Sequence, residues 1–301
     1  MKRVISISLG SSKRDHVVET EILGEKFLIE RRGTDGDMQK AIALIQELDG
    51  KVDAFGMGGI DLHIRSGNRV YTLRDAKPIA RAAKKTPMVD GSGLKDTLER
   101  EVIRFLDRGP LPLAGKKVLM VSAMDRFGMA QALIEAKAKV TYGDMMFSLG
   151  IPIPIHSFAV LNALAFVVAP IAVQLPFSML YPTGKEQEEV KPKFVRYYLE
   201  NDIIAGDFLY IHRHMPDKLP GKVIITNTTT AADVADMRAR GVRMLVTTTP
   251  NLNGRSFGTN VMEGVLVALS GRRPEELTAA DYLDLLHKIN FQPQVVDLQA
   301  T

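Results

Sequence analysis

Residues 116–144 read KKVLMVSAMDRFGMAQALIEAKAKVTYGD, and they predict the core of a parallel-sheet domain. The apolar run 118–121 suits a strand that is buried between two layers of helices. Apolar residues then recur at spacings of three and four over 127–134, which is typical of a helix with one buried face. A second strand at 140–142 ends just before Asp144. This order of strand, turn, helix, strand and acid is that of a dinucleotide-binding βαβ unit. In such a unit the helix N-terminus faces the pyrophosphate and the acid binds the ribose.

The turn of this unit departs from the G-x-G-x-x-G fingerprint, which lets the backbone approach a phosphate closely. It reads SAMDRFG, so Ser122 and Met124 stand where the first two glycines would, and Gly128 is displaced by one position. Arg126 offers a cationic fork for phosphate in partial compensation. Two interpretations are open. Ser122, Met124, Arg126 and Gly128 form a cofactor cradle with Asp144, or the domain keeps the fold and binds no nucleotide.

Composition restricts the class of protein. A chain of 301 residues is long enough for two domains with separate cores. Its 46% hydrophobic and 25% charged residues are ordinary for a soluble globular protein. The net charge of +4 is small and the basic residues are spread along the chain, so a nucleic-acid partner is not expected. Because cysteine is absent and the N-terminus shows no signal-peptide pattern, we expect a cytoplasmic protein without disulfides or thiolate chemistry.

The first 110 residues predict an α/β unit of their own, which begins with a strand at 4–9. This strand runs into a polar turn that contains Ser11, Ser12 and Arg14. Hydroxyl and cationic groups after a buried strand suit a bound carboxylate or phosphate. The alternative is a solvated polar turn with no ligand.

Four segments resemble shikimate and quinate dehydrogenases. Residues 90–94, DGSGL, are similar to the N-T-D-G-x-G-F segment that ends the substrate domain of that family, and 113–119, LAGKKVL, are similar to the L-x-G-K-x-V-L strand that opens its nucleotide domain. Residues 225–229, ITNTT, resemble the I-N-A-T-P strand end beside the nicotinamide. Residues 270–274, SGRRP, resemble the T-G-x-x-P that closes the last Rossmann helix.

This resemblance implies an architecture and a reaction. The fold would be α/β, with an N-terminal α/β substrate domain at residues 1–110 and a Rossmann-like, doubly wound parallel-sheet domain at 111–275. A C-terminal helix within 276–301 would pack back on the first domain. The reaction would be hydride transfer between a nicotinamide cofactor and a hydroxy-acid or cyclitol-like substrate.

The resemblance also assigns catalytic and substrate-binding residues. The family uses a lysine and an aspartate to move the proton of the substrate hydroxyl, and Asp90 stands where that aspartate does. The strand that carries the family's lysine reads FGMGGID here, at 55–61, and contains none. Lys85 and Lys95 are equally close in sequence to Asp90, on either side of it, and Lys95 is the candidate partner. Asn260 lies near the position of the family's substrate-contacting glutamine.

The expected cofactor is NAD, with NADP left open. Asp144 would repel the 2′-phosphate of NADP, and this favours NAD. Asn227 and Thr229 would lie beside the nicotinamide, because ligands bind outside the carboxyl ends of the strands in open parallel sheets.

Two later stretches concern membranes and metals. Residues 158–175 are apolar at most positions, but polar residues and a proline interrupt them and no basic cluster flanks them closely, so we predict a fully buried helix plus strand rather than a membrane span. A strand predicted at 208–212 would place His212 and His214 on one side as two metal ligands. No third ligand occurs at a readable spacing, and no metal is expected.

Three functions agree with these patterns. The first is an NAD(P)-dependent dehydrogenase like those acting on quinate or shikimate. The second is a methylene-tetrahydrofolate dehydrogenase-like enzyme on the same two-domain plan, and the third is a non-catalytic ligand-binding protein that kept the scaffold. All three take a small-molecule ligand, and a homodimer is compatible with each.

Overall fold

The protein has an α/β fold with two lobes, as the sequence predicts. The computed structural model describes residues 1–66, 69–176, 190–249, 251–252 and 255–300. Each lobe is built on a central, mainly parallel sheet with helices packed on its faces.

The first lobe contains a five-stranded sheet. Its elements are β1 (Lys2–Ser8), β2 (His16–Ile22), β3 (Glu25–Gly33), α1 (Met38–Leu48), β4 (Ala54–Gly58), the separate hairpin of β5 (His63–Ser66) and β6 (Arg69–Thr72), α2 (Lys77–Ala80) and β7 (Met88–Val89). The strands lie in the order β2-β3-β1-β4-β7, and all neighbours are parallel except β2 and β3. Strand β1 is therefore central, and it is almost completely buried.

The second lobe contains a six-stranded sheet and follows a long connecting helix. The elements are α3 (Ser92–Arg108), β8 (Lys117–Met120), α4 (Phe127–Glu135), β9 (Lys139–Tyr142), α5 (Asp144–Leu149), α6 (Phe158–Ala172), α7 (Val195–Glu200), β10 (Ile203–Ala205), α8 (Phe208–His214), β11 (Val223–Thr226), α9 (Ala231–Ala239), β12 (Met244–Thr247), β13 (Asn251–Leu252), β14 (Arg255–Ser256), α10 (Thr259–Ser270), α11 (Ala279–Lys288) and β15 (Gln294–Asp297). The strands lie in the order β9-β8-β10-β11-β12-β15, and only β15 is antiparallel to its neighbour. The predicted strand–helix–strand unit corresponds to β8, α4 and β9.

Both sheets have a point at which the chain changes direction across the sheet. In the second lobe β8 lies between β9 and β10, and in the first lobe β1 lies between β3 and β4. Loops at such points diverge and leave a crevice outside the carboxyl ends of the strands. Residues that follow strands of both sheets line one shared cavity, which we call the central cleft.

Helix α10 belongs to the core of the first lobe. Val261 and Val265 share a buried apolar cluster with Val4 of β1 and Ala54 of β4. The chain therefore returns to the first lobe at Thr259, ahead of the predicted boundary at residue 275. Helix α11 then packs against α3 and α10, and β15 adds an unpredicted antiparallel strand to the second sheet.

Helix α6 occupies most of the stretch for which the sequence predicts a fully buried helix plus strand, and that prediction is wrong. It is a single helix whose inner face, with Leu161, Ala165 and Ala169, is buried, whereas Val160 and Val167 on its outer face are more than half exposed. No helix within the described parts of the chain is both long enough and apolar enough to cross a membrane.

The prediction of a strand at 208–212 is also wrong, because this stretch belongs to helix α8. The nearest strand, β10, ends before it. His212 Nε2 lies 3.7 Å from a carboxylate oxygen of Asp236, while His214 Nδ1 lies 3.2 Å from the backbone oxygen of Lys191, so the two imidazoles have separate surroundings. The described residues contain no group of three or more His, Asp or Glu side chains that could hold a metal ion.

The junction of α10 with the start of α3 predicts a stability difference between two glycine variants. Gly91 has φ +93°, and a Cβ there would lie 2.8 Å from the backbone nitrogen of Asn260. Gly150 has φ +72° with no heavy atom within 4 Å of its Cβ position. We expect Gly91→Ala to lower the free energy of unfolding by about 2–4 kcal/mol and Gly150→Ala by about 1 kcal/mol.

Urea unfolding of both variants measures these losses, and Gly150→Ala controls for backbone strain alone. Equal losses in the two variants would contradict a close approach of α10 to Gly91.

Candidate functional site

The central cleft encloses a cavity of about 190 Å³ between the two lobes. The first lobe contributes Ser6 and Ser8 from β1 and the loop that follows β4, and the second lobe contributes the loops after β8, β10 and β11. Pockets for drug-sized ligands usually measure roughly 300–1,000 Å³. The cavity therefore suits a smaller molecule.

The charged side chains that line the cleft balance one another in sign. The cations are Arg14, Arg31, Lys95 and Arg126, and the acids are Asp61, Asp90, Asp125 and Asp207. A lining with equal numbers of each presents both donors and acceptors without a net field. It does not concentrate ligands of one charge.

Lys95 and Asp61 form an ion pair at the wall of the cavity. Lys95 Nζ, from the second turn of α3, lies 3.5 Å from both carboxylate oxygens of Asp61, and both side chains are largely buried. Burial raises the pKa of Asp61, and the neighbouring Lys95 opposes this rise. Burial acts to lower the pKa of Lys95, but Asp61 and Asp125 raise it above its ordinary value, so the ammonium group keeps its proton. The pair can donate to and accept from one ligand hydroxyl.

The Lys95–Asp61 pair can be compared with the lysine that the resemblance predicts. Asp61 lies in the segment where the resemblance predicts a lysine, just after β4. The lysine that reaches this place is Lys95, which comes from another element, 34 positions later in sequence.

Asp90 lines the cleft, and its carboxylate binds three backbone N–H groups. Its Oδ2 accepts from Leu62 and His63, each at 2.7 Å, and its Oδ1 accepts from Ser92 at 3.0 Å. These bonds fix the loop after β4 to the beginning of α3. The predicted role of Asp90 as an acid–base group stays a prediction.

Arg126 is buried, and its guanidinium binds acids of the protein. It forms an ion pair with Glu99 of α3 and lies 3.1 Å from Asp207 after β10. Asn227 donates to the same Asp207 oxygen at 2.8 Å. Burial raises the pKa of Glu99, and Arg126 opposes that rise. The fork predicted to bind phosphate thus holds α3 against two loops of the second lobe.

Asp144 binds the turn predicted to hold a pyrophosphate. Its Oδ1 accepts the backbone N–H groups of Ala123 and Met124, each at 2.8 Å, and its side chain is buried. Burial raises the pKa of Asp144 to about 7, although these two hydrogen bonds act to lower it. The amides that would face a phosphate therefore already bind a carboxylate of the protein.

Arg126 lines the cleft, but Ser122, Met124 and Gly128 of the predicted cofactor cradle do not. A Cβ on Gly128 would lie 2.5 Å from a carboxylate oxygen of Asp96, so this glycine permits the contact between α3 and α4. Ser122, Met124 and Thr229 are outside the lining of the cleft. Arranged in this way, the cradle does not fit a dinucleotide, and NAD stays a prediction.

Two of the four predicted substrate-binding residues line the cleft. Arg14 does so from the first lobe, and its guanidinium lies 3.8 Å from Asp233 of the second lobe, so this contact spans the cleft. Asn260 of α10 lines it too, and its amide donates to Ser6 Oγ at 2.8 Å.

The other two predicted anchors, Ser11 and Ser12, hold the turn itself. Ser11 Oγ accepts from the backbone nitrogen of Lys13 at 3.3 Å, and the backbone nitrogen of Ser12 donates to Asp35 at 2.7 Å. Neither serine lines the cleft. Their predicted role as ligand anchors stays a prediction.

The cleft thus brings together six of the predicted residues and adds three acids that sequence reasoning missed. The six are Arg14, Asp90, Lys95, Arg126, Asn227 and Asn260. The missed acids are Asp61, Asp125 and Asp207. Each lies within a few residues of the carboxyl end of a strand. This position after a strand is the sequence signal that could have identified them as lining residues.

Comparison with known proteins identifies sequence families but no characterised relative. Residues 93–298 match the family model described as a domain of unknown function (DUF8754), and residues 3–90 match a second one (DUF8753). The two models meet in the loop before α3. No curated protein has detectable sequence similarity to this chain.

Solved structures are similar only at a low level. A galactofuranose binding protein has 12% identity and a TM-score of 0.35, over 97% of this chain and 100% of that one. An L-tryptophan dehydrogenase from Nostoc punctiforme has 10% identity and a TM-score of 0.37, over 96% and 78%. The periplasmic binding protein of an arabinose transporter from Shewanella sp. ANA-3 has 11% identity and a TM-score of 0.34, over 90% and 87%. Similarity at this level carries no inference about ligand or activity.

The buried carboxyl group of Asp144 predicts how stability depends on pH. The folded state raises the pKa from 3.8 to about 7, so it holds the proton more tightly than the unfolded chain does. The resulting stabilisation is fully present below the unfolded pKa and is lost as the pH rises to about 7. We expect Asp144→Asn, which still accepts both amides, to reduce this loss by on the order of 2–4 kcal/mol.

Urea unfolding of both proteins from pH 4 to pH 8 measures this effect. Asp217→Asn, at an almost fully exposed carboxylate, is the control and keeps the wild-type slope. Identical slopes for the wild type and Asp144→Asn would show that Asp144 titrates normally.

Proposed function

This chain belongs to the family described as a domain of unknown function (DUF8754), and we propose that its central cleft binds a small, hydroxyl-rich molecule without net charge. The observation that carries this proposal is the Lys95–Asp61 pair, which lines a cavity of about 190 Å³. A monosaccharide, a cyclitol or a zwitterion of similar size has the required chemistry.

The balance of charge supports a ligand without net charge. Four acids and four cations line the cleft, and several of them are already paired within the protein. A strongly anionic ligand would meet the carboxylates of Asp61, Asp125 and Asp207 with no excess of cations to offset their repulsion.

The distribution of donors and acceptors supports hydroxyl groups on the ligand. A hydroxyl both donates and accepts, so it can bridge Lys95 and Asp61 without leaving either charge unpaired. Ser6, Asn227 and Asn260 add neutral polar groups around the same cavity. Hydrogen bonds to charged partners are worth about 1.5–3 kcal/mol each, which is enough to select such a ligand.

Substitution of Asp61 tests the proposal. Isothermal titration calorimetry would measure binding of the uncharged probes D-galactose and myo-inositol to the full chain. We expect at least one probe to bind the wild type, and Asp61→Asn to weaken that binding at least tenfold because a charged acceptor is lost. Asp217→Asn, which is exposed and lies outside the lining of the cleft, is the matched control.

Two results would contradict binding of this class of ligand at this site. One is that no probe binds the wild type at millimolar concentration. The other is that Asp61→Asn binds a probe as tightly as the wild type does.

A second candidate function, dehydrogenation of such a ligand, is favoured by one specific observation. The family that the sequence resembles uses a lysine and an aspartate, and here Lys95 reaches the place after β4 where that lysine is expected. In this role the ammonium of Lys95 would hold the substrate hydroxyl, and the carboxylate of Asp61 would accept its proton. A bound nicotinamide would supply the hydride-accepting chemistry, but the arrangement of Asp144, Ala123 and Met124 does not support a dinucleotide.

This second function predicts NADH formation from quinate or shikimate and NAD. We expect Lys95→Met to lower kcat by about 100-fold or more, since the ammonium would position the substrate hydroxyl for proton transfer to Asp61 and positioned proton transfer contributes that much. Lys84→Met, at an exposed lysine, is the control and retains activity. Absorbance at 340 nm follows the reaction, and a thermal-shift assay with NAD alone measures cofactor binding. The absence of both signals would reject the dehydrogenase and leave ligand binding untouched.

A further inference from the structure

The exposed residues between Ser148 and Pro176, which we call the apolar face, lie on the outer side of α6 and in the segments that flank it. Nineteen residues in this range are exposed, and none of them is Asp, Glu, Lys or Arg. They include Leu149, Ile151, Ile153, Val160, Phe166, Val167, Ile171 and Leu175, which make up eight of the fifteen large hydrophobic side chains that are exposed in the described parts of the chain. Exposed hydrophobic residues scattered singly are ordinary, whereas a contiguous group marks an interaction surface.

The sequence shows how unusual this face is. From Met145 to Gly184 there is no Asp, Glu, Lys or Arg, although such residues make up 25% of the chain. A surface that faces water normally carries interspersed charges. The outer side of α6 has none of its own, and a cation from another element, Arg69 of β6, lies 4.1 Å from the ring centroid of Phe166.

Helix α6 presents this face from a rigid position. Leu161 and Ala165 on its inner side belong to the core of the second lobe. Val173, just after the helix, belongs to the core of the first lobe, and its oxygen accepts the backbone N–H of Arg74 at 2.9 Å. The helix is therefore fixed to both lobes.

We propose that the apolar face is the interface of a homodimer, in which α6 packs on α6 of a second copy about a two-fold axis. The outward positions 160, 163, 167 and 170 of α6 alternate by three and four, which is the seam that two packed helices require. Ala163 and Val167 flank the centre of this seam, and the small side chain of Ala163 allows close approach of the helices. Nineteen exposed residues approach the roughly 20–30 residues per side of a stable interface.

The lack of acidic and basic residues on the apolar face favours a second copy as the occupant. Its own residues carry no such side chain, although the guanidinium of Arg69 lies over Phe166, and two-fold symmetry brings the same apolar residues together from both copies. A membrane surface is the other occupant to weigh. Helices that lie on membranes carry Lys and Arg along their polar side, and α6 offers no such residue.

Sedimentation of the full chain tests the dimer. We expect the wild type to sediment at twice the 33.2 kDa of the chain and Val167→Glu to sediment as a monomer, with the dissociation constant raised at least 100-fold. Val17→Glu is the matched control, since Val17 is 57% exposed on the edge strand β2 and Val167 is 61% exposed. A monomeric wild type, or a Val17→Glu protein that dissociates equally, would overturn the proposal.

Crosslinking gives a second test that does not depend on a disruptive charge. The chain contains no cysteine, so Ala163→Cys introduces a single thiol at the proposed axis and Val17→Cys a single thiol elsewhere. We expect mild oxidation to convert Ala163→Cys, or the neighbouring Val167→Cys, into a covalent dimer, because paired positions near a two-fold axis fall within disulfide reach. Val17→Cys stays monomeric in a denaturing gel.

A vesicle-binding assay distinguishes a second copy of the chain from a membrane surface as the occupant of the apolar face. Wild-type protein is mixed with phosphatidylcholine vesicles that contain 30% phosphatidylserine and is then pelleted. We expect it to remain in solution as a dimer. A monomer that pellets with the vesicles would assign the apolar face to a membrane surface, and failure of both thiol variants to crosslink would exclude α6 as the contact.

Discussion

The buried ion pair of Arg126 and Glu99 is the interaction on which the geometry of the cleft depends. Both side chains are almost fully removed from solvent, and the guanidinium also contacts Asp207. Removing one partner of such a pair typically costs about 3–5 kcal/mol, because the other charge is left uncompensated. Glu99 lies one helical turn after Lys95 on α3, so the position of Arg126 fixes the lysine that reaches across to the first lobe. The pair therefore acts less as a source of stability than as a means of aligning two lobes.

A carboxylate of the protein replaces a bound phosphate at the turn after β8. In a nucleotide-binding domain the amides of this turn stay available to the ligand, and an acid after the second strand contacts the ribose. Here Asp144 follows that strand but turns back onto Ala123 and Met124. The fold thus satisfies its own anion-binding amides, and the polar groups that remain for a ligand are concentrated between the lobes.

The local parts of the fold could be predicted from sequence, and the parts that depend on distant contacts could not. Strand β8, helix α4 and strand β9 have dense, regular apolar patterns and lie where the sequence predicts them. Strand β10 has only three residues, so the longer apolar run after Asp207 resembles a strand more closely than β10 itself does. In the structure Asp207 is the N-cap of α8, and that run is helical. In the site, Lys95 is one of two lysines nearest to Asp90 in sequence, but its partner Asp61 is 34 positions away and no local pattern joins them. The sequence also marks Asp144, yet its hydrogen-bond partners depend on side-chain direction, which spacing does not reveal.

Helix α10 also determines when the core of the first lobe can be completed during synthesis. The strands that it covers, β4 and β1, leave the ribosome about 200 and about 250 residues before it does. Until Ser270 has been made, one side of the amino-terminal sheet has no partner, and Val4 and Ala54 stay open to water or to a chaperone. Pairing elements this far apart in sequence makes folding slow and exposes intermediates to aggregation. Residues 3–90, although they match a family model of their own, therefore lack the helix that covers one side of their sheet.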